Sequence, residues 1–487
     1  MFHKDSSMKY PKIILGGLFF ALVLLFGARI GRAQDEPQEP VETMPKPAAR
    51  TTPIPIIDTG NAQDDNGVQI RPDVTPLTGL QTATLGTPEL QHSYWVPGFQ
   101  YANTVQSSGY NQPSSSGWFA TNYLIANVSL LQAWSRSQLA VNYSAGSYFS
   151  TNSTQGNGNY QELGLSQTFQ SNRWLVQILD QFSYLPQTQF GFGGGTNLGV
   201  PGIAGSLRPV VPDLGGGCVP NEGTYASAGP RLSNTGAIQS TYTVSPRGSI
   251  TASGCYAILH FVQSGNIDSN SVMDTFGYNY QLDRKNSLGL EYRFSSYQFP
   301  GEPQAYGDSA VNIAYGRKIT GRLALQLSGG SEYTTFRVPI GTLSSKLGVD
   351  ANANLIYGFE NGSFSVGYLH GFAGGSGVFT GSTADQLNLA ASRRLGRIWS
   401  ANFDFGYARN TAVANATQAA LPTYNGWFAG GGVSRPIGRD LNLAITYEAY
   451  NFGFSQSGCS GATCSSNQTF NYITMSFQWH ARPFVLP

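Results

Sequence analysis

The stretch 441–450, Leu-Asn-Leu-Ala-Ile-Thr-Tyr-Glu-Ala-Tyr, places an apolar side chain at every odd position and mostly polar or small side chains between them. Because successive side chains of a β-strand point to opposite faces, this alternation predicts a strand with one apolar and one polar face. The stretches 323–328 and 288–295 alternate in the same way. Strands of about 9–11 residues or more are long enough to cross a bilayer at a tilt, whereas many strands of globular proteins are about half that length.

The connections between such stretches alternate between short and long. Short turns such as 360–362 and 438–440 are separated by longer segments rich in Gly, Ser, Asn and Thr, such as 411–425 and 453–468. Eight short turns and nine long segments join eighteen predicted strands, which puts both chain ends on the side of the short turns. Since a sheet in hydrocarbon tolerates no unpaired edge, the expected fold class is all-β: a transmembrane, antiparallel, up-and-down β-barrel of about eighteen strands at 93–480.

The composition is typical of a wall that faces lipid. Charged residues make up 11% of the 487 residues, against roughly 25% in ordinary soluble domains. The formal net charge is +1, so no basic surface predicts a nucleic-acid partner. Mean hydropathy is −0.19 and the sequence has a single long apolar run, near its N-terminus, which excludes a bundle of transmembrane helices.

The N-terminal run is typical of an export signal. Basic residues precede a short apolar core, and Gly31-Arg32-Ala33 supplies small residues at the positions that a signal peptidase recognises. We therefore assign a signal peptide to residues 1–33, with an uncleaved anchor helix as the alternative. Residues 34–92 are rich in Pro and carry no periodic pattern, so we expect a disordered periplasmic linker there. Residues 481–487 are expected to form a periplasmic tail.

The predicted connection 186–236 is much longer than its neighbours, and the sixth strand is expected only after it, at 237–245. Loops beyond about 15 residues are usually functional or disordered, and this one is expected to fold into the barrel as a constriction or plug. It contains Cys218, and Cys255 lies on the predicted inner face of strand 7. A Cys218–Cys255 disulfide would tie the loop to the inner wall; the alternatives are a loop that lies outside the barrel with both thiols free, or another pairing.

The other two cysteines, Cys459 and Cys464, share one long connection, where we expect a local disulfide. An exported chain can keep such bonds, because disulfides persist in oxidising compartments. No metal site is expected there, because a single short Cys pair without a nearby His is an incomplete ligand set.

Few charged side chains fall on the inner faces that the alternation predicts. Those assigned to the pore lining are Glu162, Glu291, Arg293, Glu332, Asp350, Asp404 and Glu448. Six acids and one base would favour cations or neutral polar solutes. The alternative is that these groups pair across the wall and brace the barrel, in which case Glu291 and Arg293 neutralise each other. Asp180 falls on the predicted lipid face of strand 5, which leaves the facing of that strand open.

The last predicted strand carries a second pattern. Ile473, Met475, Phe477 and Trp479 alternate outward and end in an aromatic ring. This strand resembles the C-terminal recognition strand of Gram-negative outer-membrane proteins, although the family pattern usually ends at a terminal Phe and here residues 480–487 follow. The chain as a whole resembles uncharacterised porin-like barrels of that membrane. The resemblance implies location in the bacterial outer membrane, contact with its lipids and lipopolysaccharide, and insertion by the barrel-assembly machinery, and it leaves a homo-oligomer open.

Passive diffusion of small polar solutes or ions is the function implied by this resemblance and by the predicted polar lumen. The sequence has no His-Glu-x-x-His pattern, no phosphate loop and no Gly-x-Ser-x-Gly elbow, so we expect no catalytic residue, cofactor or enzymatic activity. Two alternatives stay open. One is a structural or adhesive barrel plugged by its long loop. The other is a lipid-modifying enzyme that uses His370, predicted to face lipid, with a nearby serine.

Overall fold

The computed structural model describes residues 77–78, 93–107, 117–151, 157–185, 230–262, 267–337, 343–374, 380–413, 423–454 and 468–486. None of these residues forms a helix long and apolar enough to cross a membrane. The strands are, in chain order, β1 (Tyr94–Ser107), β2 (Trp118–Ala133), β3 (Ser137–Ser150), β4 (Asn157–Gln170), β5 (Trp174–Leu185), β6 (Arg231–Ser245), β7 (Gly248–Phe261), β8 (Ser269–Gln281), β9 (Asn286–Gln298), β10 (Ala305–Lys318), β11 (Leu323–Arg337), β12 (Leu343–Phe359), β13 (Gly362–Ala373), β14 (Ser382–Leu395), β15 (Trp399–Ala412), β16 (Thr423–Ile437), β17 (Leu441–Phe454), β18 (Gln468–His480) and β19 (Phe484–Val485).

The strands β1 to β18 form one closed antiparallel sheet. Each strand pairs with the next one along the chain, and β1 pairs with β18 from Gly98↔His480 to Gln106↔Tyr472, which closes the sheet. The eighteen strands, their sequential order and the closure confirm the fold class predicted from the alternating pattern.

Solvent exposure distinguishes the two faces of the wall. The outward row of β9 consists of Leu288, Leu290, Tyr292 and Phe294, which are 40%, 54%, 47% and 39% exposed. Because a closed sheet shields its concave side, these exposed apolar rows are the outer face of the barrel. The aromatic side chains Trp174, Trp399 and Trp479 lie on the same outer face, as the alternation predicts.

One strand and the C-terminal tail depart from the sequence prediction. β6 begins at Arg231, so the predicted boundary at 237 is six residues too late. Polar and small residues open this strand, so its pairing with β5 and β7 defines it and side-chain alternation does not. In the tail, Phe484 and Val485 pair with β1, and the Phe484 ring stacks on Trp95 at a centroid distance of 4.8 Å.

The sequence predicts a polar inner face, but part of the inner face is apolar. A cluster of buried apolar side chains runs along the inner wall from β1 to β8. Its members are Tyr94, Val96, Leu131, Ala140, Leu179, Ala237, Cys255 and Met273. Both faces of β5 carry apolar residues, so alternation alone could not reveal this patch. Leu179 faces inward and is fully buried, which leaves Asp180 on the outer face, where Asn234 donates a hydrogen bond to it at 2.9 Å.

The short turns are stabilised by local chemistry. Gly396 and Gly438 adopt φ values of 75° and 77°, in the left-handed region that favours glycine, and they open the turns after β14 and β16. In the turn after β8, the Asp283 carboxylate accepts hydrogen bonds from the backbone N–H groups of Lys285 (2.6 Å) and Asn286 (2.9 Å). Such turns fix the register of the hairpins that carry the inner-wall charges.

Candidate functional site

All seven residues assigned to the pore lining lie on the inner face of the wall. Glu332, Asp350 and Glu448 are nearly inaccessible, at 4%, 4% and 5% exposure. The Glu162 carboxylate accepts a hydrogen bond from the Tyr160 hydroxyl on the same strand. Their inward placement follows from alternation, whereas their contribution to a pore remains a prediction.

Arg293 on β9 is the centre of the densest charge cluster. Its guanidinium lies 3.0 Å from Asp350 Oδ2, 3.4 Å from Glu332 Oε1 and 3.5 Å from Asp308 Oδ2. We name these four residues the Arg293 cluster. Its acids come from β10, β11 and β12, so one base links three neighbouring strands to β9. Glu291 is not among the ion-pair partners of Arg293 within 4 Å in the described part of the chain, so its neutralisation by Arg293 stays a prediction.

Asp308 is the member of this cluster that the sequence analysis missed. The sequence pattern around position 308 had not been assigned to a strand, so the residue had no predicted face. In the structure β10 begins at Ala305, and Asp308 alternates inward with Tyr306 and Ala310. The polar-apolar alternation from 308 to 313 is the signal that could have located it.

Neighbouring hydrogen bonds hold the three acids of the Arg293 cluster in place. Asn312 Nδ2 donates to Asp350 Oδ2 at 2.6 Å, and the Thr334 hydroxyl donates to Asp308 Oδ1 at 3.1 Å. The Phe372 backbone N–H donates to Glu332 Oε1 at 2.9 Å, so each carboxylate has a partner besides the arginine. A buried, multiply bonded cluster of this kind is rigid, because each group limits the rotation of the others.

Two strands separate beside this cluster. β12 and β13 pair only from Ala351↔His370 to Phe359↔Gly362. Toward the long loops, β12 continues in pairing with β11 alone, while β13 continues to Ala373 in pairing with β14. The end of the β13–β14 hairpin is thereby free to leave the wall.

This hairpin end turns toward the lumen and covers the Arg293 cluster; we call residues 371–374 and 380–382 the inturned tip. The Phe372 backbone N–H donates to Glu332 Oε1 at 2.9 Å. An ideal Cβ added to Gly371 would lie 2.7 Å from Asp350 Oδ1, so only glycine allows this approach. The structure thus narrows the lumen at a point that the sequence analysis did not predict.

Aromatic rings support the inturned tip. The Phe372 ring lies 5.4 Å from the Tyr297 ring and 5.5 Å from the Tyr306 ring, measured between centroids. Thr380 Oγ1 and the Tyr306 hydroxyl are 3.3 Å apart and buried. These contacts attach the inturned tip to the inner face of β9 and β10, on the side of the Arg293 cluster that is nearer the long loops.

A second acidic site lies across β15, β16 and β17. Asp404 pairs with Gly430, and Gly430 pairs with Glu448, so the two acids stand on either side of a residue without a side chain. We name Asp404 and Glu448 the acid pair. Among the described residues, no basic group lies within 4 Å of either carboxylate, in contrast to the Arg293 cluster.

The predicted periplasmic linker contacts the inner wall through Leu77 and Thr78. The Thr78 backbone N–H donates to Asn279 Oδ1 at 3.1 Å, and Asn279 Nδ2 donates to Thr78 Oγ1 at 2.7 Å. Leu77 lies against Gly316, where an added Cβ would meet Leu77 Cδ2 at 2.7 Å. The predicted periplasmic linker therefore has at least this one contact inside the barrel, and the rest of residues 34–92, apart from 77–78, lies outside the described residues.

Cys255 is buried in the apolar patch of the inner wall, at 7% exposure. Its proposed partner Cys218 and the pair Cys459 and Cys464 lie outside the described residues, as does nearly all of the long loop. In the assembly strand, Ile473, Met475 and Trp479 point outward and are 42–46% exposed, while Phe477 is partly buried on the same face.

His370 lies on the outer face, where the alternation places it. Its Nδ1 is 2.6 Å from Asp385 Oδ1, which also accepts a hydrogen bond from the Tyr368 hydroxyl at 3.0 Å. The hydroxyl beside this acid thus belongs to a tyrosine, whereas the lipid-modifying alternative calls for a serine. Within the described residues, no three His, Cys, Asp or Glu side chains are placed to hold a metal ion.

Comparison with solved structures finds chains of similar fold, of which three are described below. OpdK of Pseudomonas aeruginosa, an outer membrane protein, is 10% identical with a TM-score of 0.40, covering 80% of this chain and 99% of that one. OccAB3 of Acinetobacter baumannii is 10% identical with a TM-score of 0.39, at 80% and 99% coverage. OccK2 (OpdF) of Pseudomonas aeruginosa, in complex with glucuronate, is 8% identical with a TM-score of 0.42, at 81% and 99% coverage. No protein-family model matches the sequence, and no curated protein matches it significantly. Similarity at this level assigns no function to the chain.

Proposed function

We propose that this protein is an outer-membrane channel of the porin type, through which small polar solutes or ions diffuse passively. The observation that carries the proposal is the closed sheet of eighteen strands whose exposed face is apolar and whose inner face holds charged side chains. A closed sheet leaves no unpaired edge in hydrocarbon, and a barrel of this strand number has room for water inside.

The outer face supports placement in the outer membrane. Large apolar side chains cover it, with rings such as Trp174, Tyr447 and Trp479 at 50%, 50% and 46% exposure. Aromatic side chains of this kind suit the two interfaces of a membrane. The proposed signal peptide at 1–33 would export the chain. Outer-membrane lipids and lipopolysaccharide would contact the apolar face, and the assembly machinery would bind β18; a homo-oligomer remains open.

The Arg293 cluster and the inturned tip are the proposed selectivity element. They lie together on the inner wall, with three carboxylates against one guanidinium, and Glu291 adds a further acid on the same face. A pore lined by more acids than bases favours cations and neutral polar solutes. The proposed channel is therefore weakly cation-selective.

The long loop between β5 and β6 is proposed as a further obstruction, tied to the wall by a Cys218–Cys255 disulfide. Two observations support it: Cys255 is not a free thiol, and it sits in a buried apolar patch of the inner wall. An apolar patch inside a barrel is stable only when it is covered, because exposed apolar area costs free energy in water. The pairing of Cys459 with Cys464 stays a proposal as well.

Conductance of the refolded full chain in planar bilayers tests the channel. We expect discrete conductance steps and a reversal potential that favours K⁺ over Cl⁻. Correctly folded barrels, identified by heat-modifiable gel mobility, that leave the bilayer closed would refute the proposal. Deleting residues 190–229, which ends before β6, should raise conductance if the loop obstructs the lumen; an unchanged conductance rejects that role.

The buried apolar patch also favours a second candidate, a structural or adhesive barrel whose lumen stays filled. Zero conductance in the full chain, together with steps in the 190–229 deletion, would select it. We further propose that the chain is not an enzyme, since the outward His370 and Asp385 stand beside a phenol. Release of fatty acid from phospholipid vesicles, lost in His370→Ala, would contradict this.

A further inference from the structure

The acid pair on the inner wall has no basic group within 4 Å among the described residues, and it flanks a strand whose inward positions are glycines. Gly430, Gly431 and Gly432 form the middle of β16, and Gly430 and Gly432 face inward. Because neither has a side chain, the wall is recessed along β16, with Asp404 on one side and Glu448 on the other. Neighbouring strands are about 4.8 Å apart, so the Cα atoms of the two acids are separated by roughly 10 Å.

Gly432, on the side of the acid pair nearer the short turn after β16, is closely flanked by side chains. An ideal Cβ added to Gly432 would lie 2.7 Å from Thr446 Cγ2 and 2.9 Å from Asn402 Oδ1. The flanking side chains thus lean over the glycine, and any residue larger than glycine would displace them. The recess therefore depends on the glycines of β16.

Two buried polar atoms on the inner face of β17 have no hydrogen-bond partner among the residues that the structure describes. They are Glu448 Oε2 and Thr446 Oγ1, in residues that are only 5% and 7% exposed. Residues 446 and 448 lie on the same face of the strand, so both atoms point toward the lumen. A buried, unpartnered carboxylate oxygen is costly, and a cationic hydrogen-bond donor would satisfy it.

Aromatic side chains complete the recess above the acids. Tyr472 pairs with Glu448 in the sheet, and both are buried. One step further toward the long loops, Phe428 and Tyr450 pair with their ring centroids 6.5 Å apart. A cation near aromatic rings is further attracted by their π faces. An inorganic anion or a neutral sugar does not have this attraction.

From these observations we propose that Asp404 and Glu448 form a binding subsite for an organic cation, a solute carrying a protonated amine. The ammonium group lies over Gly430 and donates hydrogen bonds to both carboxylates, while Tyr450 and Tyr472 contact its alkyl part. This inference rests on the channel function proposed above, and it narrows the solutes of that channel to amines.

The test uses ethylammonium as the probe on the refolded full chain, with two readouts. The first is the concentration of ethylammonium that halves the single-channel K⁺ current. The second is the rise in unfolding temperature that ethylammonium causes in detergent, which needs no conduction. Glu448→Gln should raise the half-blocking concentration about tenfold and abolish the temperature shift, because it removes a charge-assisted hydrogen bond. Asp404→Asn should have a smaller effect in the same direction.

Glu360→Gln is the matched control, since it makes the same chemical change in the turn between β12 and β13 and should keep both readouts. Glu448→Asp should restore part of the block. A protein that binds ethylammonium but never conducts would refute the channel and leave this subsite standing. A conducting protein with the same block and temperature shift in wild type, Glu448→Gln and Asp404→Asn would overturn the subsite. If Glu448→Gln fails to fold, Asp404→Asn decides alone, because Asp404 is only partly buried.

Discussion

The inner walls of β9–β12 and β15–β17 belong to one sheet, but their acidic side chains differ in whether they have partners. Around Arg293, three carboxylates share a guanidinium within 3.5 Å and each has a further hydrogen bond. At the acid pair, no base in the described part of the wall lies within reach, and Glu448 Oε2 has no partner. The first wall has its charges satisfied by the chain itself, whereas the second leaves a charge that a solute can satisfy. We therefore expect the two walls to respond in opposite ways when a charged side chain is removed.

The largest expected effect follows from removing the base that the first wall depends on. Arg293→Met leaves three buried carboxylates without their cation, and breaking such a pair by removing one partner costs about 3–5 kcal/mol. We expect a matching loss in the free energy of unfolding by urea in detergent. Arg322→Met, in the exposed turn before β11, is the control and should change it little. Equal stability of the two variants would show that the cluster is not what holds β9 to β12.

A smaller effect is expected from the inturned tip that covers this wall. Gly371→Ala brings a methyl group to 2.7 Å from Asp350 Oδ1, and because Asn312 and Arg293 hold that carboxylate, we expect the tip to move away from the cluster. Overpacking of this kind costs about 1–3 kcal/mol, and the displaced tip should widen the pore. We expect lower stability and higher single-channel conductance.

Gly367→Ala provides the matched control for the tip. Gly367 lies on the same face of β13, and an added Cβ there meets nothing within 4 Å. Its stability and conductance should stay near those of the wild type. The same conductance in both variants would mean that the tip does not restrict the lumen.

The comparison is sharpest when an acid is neutralised on each wall. Glu448→Gln replaces a buried carboxyl whose Oε2 has no partner among the described residues, so we expect stability to rise by about 1 kcal/mol. Asp350→Asn weakens a bond to Arg293 at 3.0 Å, so stability should fall. Urea unfolding of both variants checks the opposite signs. A loss of stability in Glu448→Gln similar to that in Asp350→Asn would show that the two walls do not differ.

The barrel itself could be predicted because one physical rule repeats along the chain. Alternation on β9, β11 and β17 and the short turns between strands define the strand number and the inner faces without any long-range information. The six inward acids and Arg293 followed from the same rule. β6 was the exception, because Ser233, Asn234 and Gly236 give no alternating signal, and only pairing with its neighbours makes them a strand.

The contacts between distant residues could not be predicted in this way. That Arg293 meets Asp350 depends on the register of three hairpins, and sequence spacing suggested Glu291 as its partner. The inturned tip depends on β13 leaving β12 after His370, which no local pattern marks. The glycine floor under the acid pair was visible as Gly430-Gly431-Gly432, but its meaning required knowing that Asp404 and Glu448 flank it.

The smallest effect on stability is expected at Asp283. Unlike the acids of the two inner walls, it lies in an exposed turn. Hydrogen bonds from the Asn286 side chain at 2.7 Å and from the Lys285 backbone at 2.6 Å lower the pKa of its carboxyl below the usual 3.8. A lowered pKa means that folding stabilises the ionised form of Asp283. The contribution of this carboxylate to stability is therefore present above pH 3.8 and is lost as the pH falls through the lowered pKa. Asp283→Ala should therefore reduce stability slightly at neutral pH and not at all in strong acid. Urea unfolding at about pH 7 and at a series of acidic pH values below 3.8 measures the difference. A pH-independent effect of Asp283→Ala would assign its role to turn geometry and leave charge compensation to the inner walls alone.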